Sequence, residues 1–140
     1  MSSLSYTFVV DRSPEAAFAA INDVRAWWVD GKIDGPTDEL GAEFVYRYKD
    51  LHYSKQKVTE LVPGKRVAWQ VLDSSLSFVE DETEWNGTTI AFDIARKDGK
   101  TEVRFTHVGL GPDDECYDAC SSAWGSYVNG RLRKLIEKDR

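Results

Sequence analysis

His107 is the polar residue best placed for chemistry in this chain, because of the company it keeps. It ends the alternation Val103, Phe105, His107, which puts an imidazole on one strand face with two core-type side chains. Such an imidazole can orient a ligand by a hydrogen bond or serve as a general base near neutral pH. The plainer reading, and the favoured one, is a core-edge histidine bonded to a backbone carbonyl or a tyrosine. Tyr46 and Tyr127 can turn hydroxyls toward a pocket, whereas Tyr48 and Tyr53 read as half-buried filler. Trp69 and Trp124 read as core or cavity wall. Of the adjacent Trp27 and Trp28, only one can face fully inward on a helix.

Other chemistry is sparse. The sequence has no HExxH, no glycine-rich phosphate loop, no GxSxG and no cysteine cluster. His52 and His107 have no partners at metal-ligand spacing, so neither a metal nor a cofactor is expected. Cys116 and Cys120 share a helix face without a CxxC pattern, and they read as reduced, buried thiols.

The elements that would position these residues follow from periodicity and punctuation. Residues 4–10 alternate as a first strand. Ser13-Pro14-Glu15 combines a cap, a first-turn proline and an acid at the positive end of a helix dipole. It opens a helix over 14–21, followed by a short second helix over 24–29. Residues 31–41 read as loop. Period-two alternation then places strands around Phe44, Tyr46 and Tyr48, over 53–62, and around Val67, Trp69 and Val71. Residues 76–86 read as an acidic loop or irregular edge in which Phe78 and Trp85 could pack, and the run Glu80, Asp81, Glu82, Glu84 as a solvated surface. Thr88, Ile90, Phe92 and Ile94 make one strand face, and Asp98-Gly99 turns the chain into the strand that carries His107. Asp113 or Asp114 caps a final helix to about Glu137, striped by Tyr117, Cys120, Trp124, Tyr127, Val128, Leu132 and Leu135. Gly125 and Gly130 inside it imply close packing against the sheet or room for a ligand.

With 140 residues and no linker, repeat or low-complexity tract, residues 1–140 read as a single domain. An apolar share of 41% with 30% charged residues is globular composition. The net charge of −6 argues against a nucleic-acid partner. No apolar run suits a membrane span, and the polar start lacks a signal-peptide pattern, so a cytoplasmic protein is expected.

The order strand, two helices, antiparallel strands, long helix resembles the START-related (SRPBCC) superfamily, and within it the Aha-type family named for activators of a heat-shock chaperone ATPase. The resemblance rests on the Ser13-Pro14-Glu15 opening, the Trp27-Trp28 pair, VTELVPGKRV at 58–67 followed by Trp69, TEVRFTHVG at 101–109, and the aromatic helix from Trp124. One departure is Ala123-Trp124-Gly125, where the family often carries Gly-Trp. The resemblance implies an α+β helix-grip fold, a curved antiparallel sheet wrapped around a long C-terminal helix with two short helices after the first strand. It also implies an internal cavity. The lining expected from the strand and helix faces is Phe44, Tyr46, Trp69, Val71, Phe92, Phe105, His107, Trp124 and Tyr127. Binding of a small hydrophobic or aromatic molecule there is the leading functional expectation. The alternatives are a cyclase- or aromatase-like enzyme using His107 and a tyrosine, and a chaperone-cofactor or stress-response interaction module. A homodimer and a chaperone partner both stay open, since fold does not fix function.

Overall fold

Strand and helix positions follow the alternation closely. The computed structural model describes residues 3–28, 31–49, 52–76, 85–109 and 117–138. The chain runs β1 (Ser3–Val10), α1 (Pro14–Asn22), α2 (Val24–Trp27), β2 (Lys32–Asp34), β3 (Glu43–Tyr48), β4 (His52–Val62), β5 (Arg66–Leu76), β6 (Thr89–Lys97) and β7 (Lys100–Val108). A closing helix follows in three parts, α3 (Tyr117–Trp124), a π-helical stretch (Gly125–Leu132) and α4 (Arg133–Lys138). The seven strands form one antiparallel sheet in the order β1-β7-β6-β5-β4-β3-β2. This is the expected helix-grip architecture.

Local chemistry explains the corners. Ser13 Oγ accepts the Ala16 N–H at 3.1 Å, with Pro14 just inside the helix, so α1 starts where its cap dictates. Asp98 and Gly99 both take positive φ, 52° and 80°, the pair that a two-residue hairpin needs. Register shifts between Lys55 and Gln56, and between Val58 and Glu60, interrupt the β4–β5 ladder. Such bulges raise local twist, which helps a sheet curve around a helix.

The closing helix buries Cys120, Trp124, Val128, Leu132 and Ile136, a strict four-residue repeat. On an α-helix that repeat drifts about 40° per step around the axis. The π stretch turns less per residue and takes the drift back, so all five side chains face the sheet. Ile136 is therefore buried where the expected stripe had Leu135, which is only half-buried. Gly125 lies where a Cβ would come within 3.0 Å of the Tyr6 hydroxyl, and that hydroxyl donates to Ser121 O at 2.6 Å. Close packing thus explains Gly125, whereas Gly130 meets nothing within 4 Å.

Two expectations change. Residues 31–41 contain the edge strand β2, whose register puts Ile33 opposite Tyr46. Cys120 is disulfide-bonded rather than a free thiol. Cys116, Asp113, Asp114, Phe78 and the acidic run from Glu80 to Glu84 lie outside the described residues.

A candidate ligand-binding interior

Alternation on β3, β5, β6 and β7 sends Phe44, Tyr46, Trp69, Val71, Phe92, Phe105 and His107 to one face, where all are buried. Trp124 meets them from the closing helix, 4.8 Å between ring centroids from Phe105. Tyr127 is half-buried, with its hydroxyl 3.4 Å from that of Tyr46. The nine expected residues therefore line one interior.

Both tryptophans at the end of α2 are inside as well. Trp27 is fixed by a hydrogen bond from its Nε1 to Ile21 O at 3.2 Å and lies edge-on to Phe92. Trp28 reaches the middle of the expected lining. Its ring stacks on Tyr46 at 4.0 Å and lies 5.1 Å from Trp124, with Trp69 and Tyr127 each at 6.4 Å. Two residues on α2 can both be buried because the helix is one turn long and Trp28 leaves it as the C-cap, at φ −97° and ψ 70°. The rule that adjacent helical residues face apart does not extend past the end of the helix.

One end of this interior is polar. On β4, His52, Ser54 and Gln56 share the inward face with Val58, and Ser54 and Gln56 are fully buried. Gln56, oriented by its neighbours, turns its carboxamide oxygen to the Ser54 hydroxyl at 2.5 Å and its nitrogen to Phe44 O at 3.2 Å. The Ser54 proton is thus committed, and His52 Nε2–H donates to Ser54 Oγ at 3.0 Å. The proton direction is opposite to that of a serine nucleophile activated by a histidine base. On β5, Ser74 Oγ donates to Asn86 Oδ1 at 2.7 Å.

His107 is held from two sides. Thr88 Oγ1 donates to Trp85 O at 2.6 Å and so accepts from His107 Nε2–H at 2.8 Å. Trp124 Nε1–H donates to His107 Nδ1 at 3.2 Å. The imidazole is neutral in a fixed tautomer, with its lone pair engaged. Burial lowers its pKa to about 3, assisted by the nearby His52. Burial likewise lowers His52 to about 4. The two imidazoles stand perpendicular to the Trp85 ring, each at 4.8 Å.

Sequence reasoning named nine residues of this interior but left out Trp28 in its middle and His52, Ser54 and Gln56 at its polar end. The signal for the last three was the period-two link of His52, Ser54 and Gln56 to Val58, which shares their face. The core also holds an unpartnered donor, Trp69 Nε1, among the described residues. An open cleft of about 390 Å³ is lined by Arg47, Lys49, His52, Tyr53, Asp73 and Ser75, none of them among the nine, and it shares His52 with the polar end of the interior. Among the described residues no cluster of metal-binding side chains occurs, and no helix is long and apolar enough to cross a membrane.

A curved antiparallel sheet closed by a C-terminal helix over an aromatic interior defines a helix-grip domain of the START-related (SRPBCC) class. The sequence model for "Activator of Hsp90 ATPase homolog 1-like protein" matches residues 11–137, and the chain belongs to that family. The structure is similar to the solution structure of the Aha1 dimer from Colwellia psychrerythraea, with a TM-score of 0.76 and 26% identity over 98% of this chain and 97% of that one. It is also similar to protein MLL2253 from Mesorhizobium loti, with a TM-score of 0.77 and 16% identity over 99% and 98% of the two chains. CalU16 from Micromonospora echinospora has a TM-score of 0.66 and 11% identity over 96% of this chain and 75% of its own. No curated protein matches the sequence.

Proposed function

We propose that this protein binds a small aromatic or hydrophobic molecule between the sheet and the closing helix. The observation that carries the reading is the asymmetry of the interior. One part is aromatic wall, and the other gathers His52, Ser54, Gln56, Ser74, Thr88 and His107 with two tyrosine hydroxyls. Binding sites combine apolar walls with a few polar groups that set orientation. A core built for packing alone would use fewer polar side chains, since each needs a partner.

Acid–base catalysis is the weaker reading. The lone pair of His107 Nδ1 accepts from Trp124, and its pKa of about 3 lies far below the range that suits a general base at neutral pH. Self-association is a second reading, supported by the dimer described for the Colwellia protein. The binding test is a thermal-shift screen of aromatic polyketides, flavonoids, sterols and fatty acids. A ligand at 100 times its dissociation constant stabilises the native state by about 2.7 kcal/mol, a clear rise in melting temperature. No shift across the set, with native mass spectra free of adducts, would refute the reading.

A further inference from the structure

We propose that Trp28 is a displaceable plug, and that the ligand is a planar aromatic molecule of about indole size, bearing a hydrogen-bond acceptor, that takes its slot. The inference rests on the binding reading and adds what the ligand looks like and what it must move.

Three observations carry it. First, the slot is already shaped for a flat ring. Trp28 lies within 13° of parallel to Tyr46 at 4.0 Å, and Trp124 and Tyr127 close its other sides. An aromatic of similar thickness replaces those contacts with little change in the walls, whereas a branched aliphatic chain does not. Second, the two neighbouring tryptophans are held differently. Trp27 is fastened by its Nε1 bond to Ile21 O and by contacts to Phe92 and Trp69. Among the described residues the Trp28 ring makes no hydrogen bond, and its residue is the C-cap of a helix four residues long. Displacing Trp28 therefore breaks ring contacts that the ligand restores, and it breaks no side-chain hydrogen bond.

Third, the Trp69 ring lies parallel to Trp28, within 1° at 6.4 Å, and its buried Nε1–H has no partner. A buried donor without an acceptor is costly, and a ligand oxygen supplies what Trp28, having only a donor, does not. At the other end the Tyr46 and Tyr127 hydroxyls lie 3.4 Å apart.

The test uses the full chain with 5-fluorotryptophan at its five tryptophans, the Trp28 resonance being assigned by its loss in Trp28→Phe. The probes are 2-naphthol, indole and indole-3-carbaldehyde, the last adding a carbonyl acceptor. The expected result is saturable binding by the wild type, with the Trp28 fluorine signal moving to a solvent-exposed position while that of Trp27 stays. Trp28→Ala then binds at least tenfold more tightly, because the competing ring is gone, and the carbaldehyde outperforms indole.

Binding by Trp28→Ala but not by the wild type would overturn the plug, because Trp28 would be a fixed part of the core. Equal affinities with an unmoved Trp28 signal would overturn it while leaving the binding reading intact. Binding by neither protein would remove both. If Trp28→Ala does not fold, the Trp28 signal in the wild type and the affinity of Trp28→Phe decide the matter.

Discussion

Trp124 donates its indole N–H to His107 Nδ1 at 3.2 Å, and this bond ties the closing helix to the last strand inside the core. It fixes the tautomer, engages the lone pair and leaves Nε2–H for Thr88. His107→Phe keeps a flat ring, though a larger one, and strands the Trp124 donor and the Thr88 hydroxyl's acceptor capacity. A buried group left unpaired costs about 1–3 kcal/mol. We expect a loss of that size in urea unfolding, with ligands that bear a hydrogen-bonding group weakened more than plain hydrocarbons. A variant as stable as the parent would mean that the bond contributes nothing net.

Stability should fall on mild acidification. His52 and His107 have folded pKa values of about 4 and about 3, below the ordinary 6.5. Between those values and 6.5 the unfolded chain binds more protons than the native one, so stability rises with pH in that window. It is lost as pH drops through 6.5 and levels off for these groups only below their folded values. The slope approaches about 1.4 kcal/mol per pH unit for each imidazole at most. Urea midpoints at pH 7.5, 6.5 and 5.5 test this, with His52→Gln flattening the profile. An unchanged profile in that variant would show that His52 is not held neutral by burial.

The framework was legible because its signals are local. Ser13-Pro14-Glu15 and Asp98-Gly99 mark a helix start and a hairpin by backbone chemistry alone. The inward strand faces around Trp69, Phe92 and Phe105 show as apolar alternation. What escaped lacks that contrast. On β4, His52, Ser54 and Gln56 alternate with Tyr53, Lys55 and Lys57, polar on both faces, so the single apolar link to Val58 is a weak sign and pairing to Tyr48, Tyr46 and Phe44 settles which face is inside. β2 spans three residues, too few for a period. Trp28 is buried because α2 ends, and the π stretch answers a four-residue stripe that an α-helix cannot align. Both are tertiary outcomes.

Truncating the gripping side chain should be severe. Trp124 touches Trp28, Phe105 and Trp85 and supplies the donor to His107. Trp124→Ala removes a buried indole and leaves a cavity between helix and sheet, at a cost of about 3–5 kcal/mol. Chemical denaturation measures it, and a loss under about 1 kcal/mol would contradict the packing described above.

Two glycines should respond to alanine in opposite directions. Gly31 lies where a Cβ would overlap Arg47 O and come within 2.7 Å of the Tyr46 ring. Arg47 O belongs to β3, whose pairing with β4 fixes it, so the backbone of Gly31 or the Tyr46 ring has to shift. A shift of Tyr46 disturbs its 4.0 Å stack with Trp28. Gly31→Ala should therefore destabilise, by about 1–3 kcal/mol as an overpacking substitution, and should change tryptophan fluorescence in the native state. Gly130 lies in the closing helix with nothing within 4 Å of the added carbon. Gly130→Ala restricts the unfolded chain without a clash and should stabilise by about 0.4–1 kcal/mol. Urea unfolding of the two variants beside the parent reads both signs. A neutral Gly31→Ala would mean that Gly31 can move away from Tyr46 at little cost.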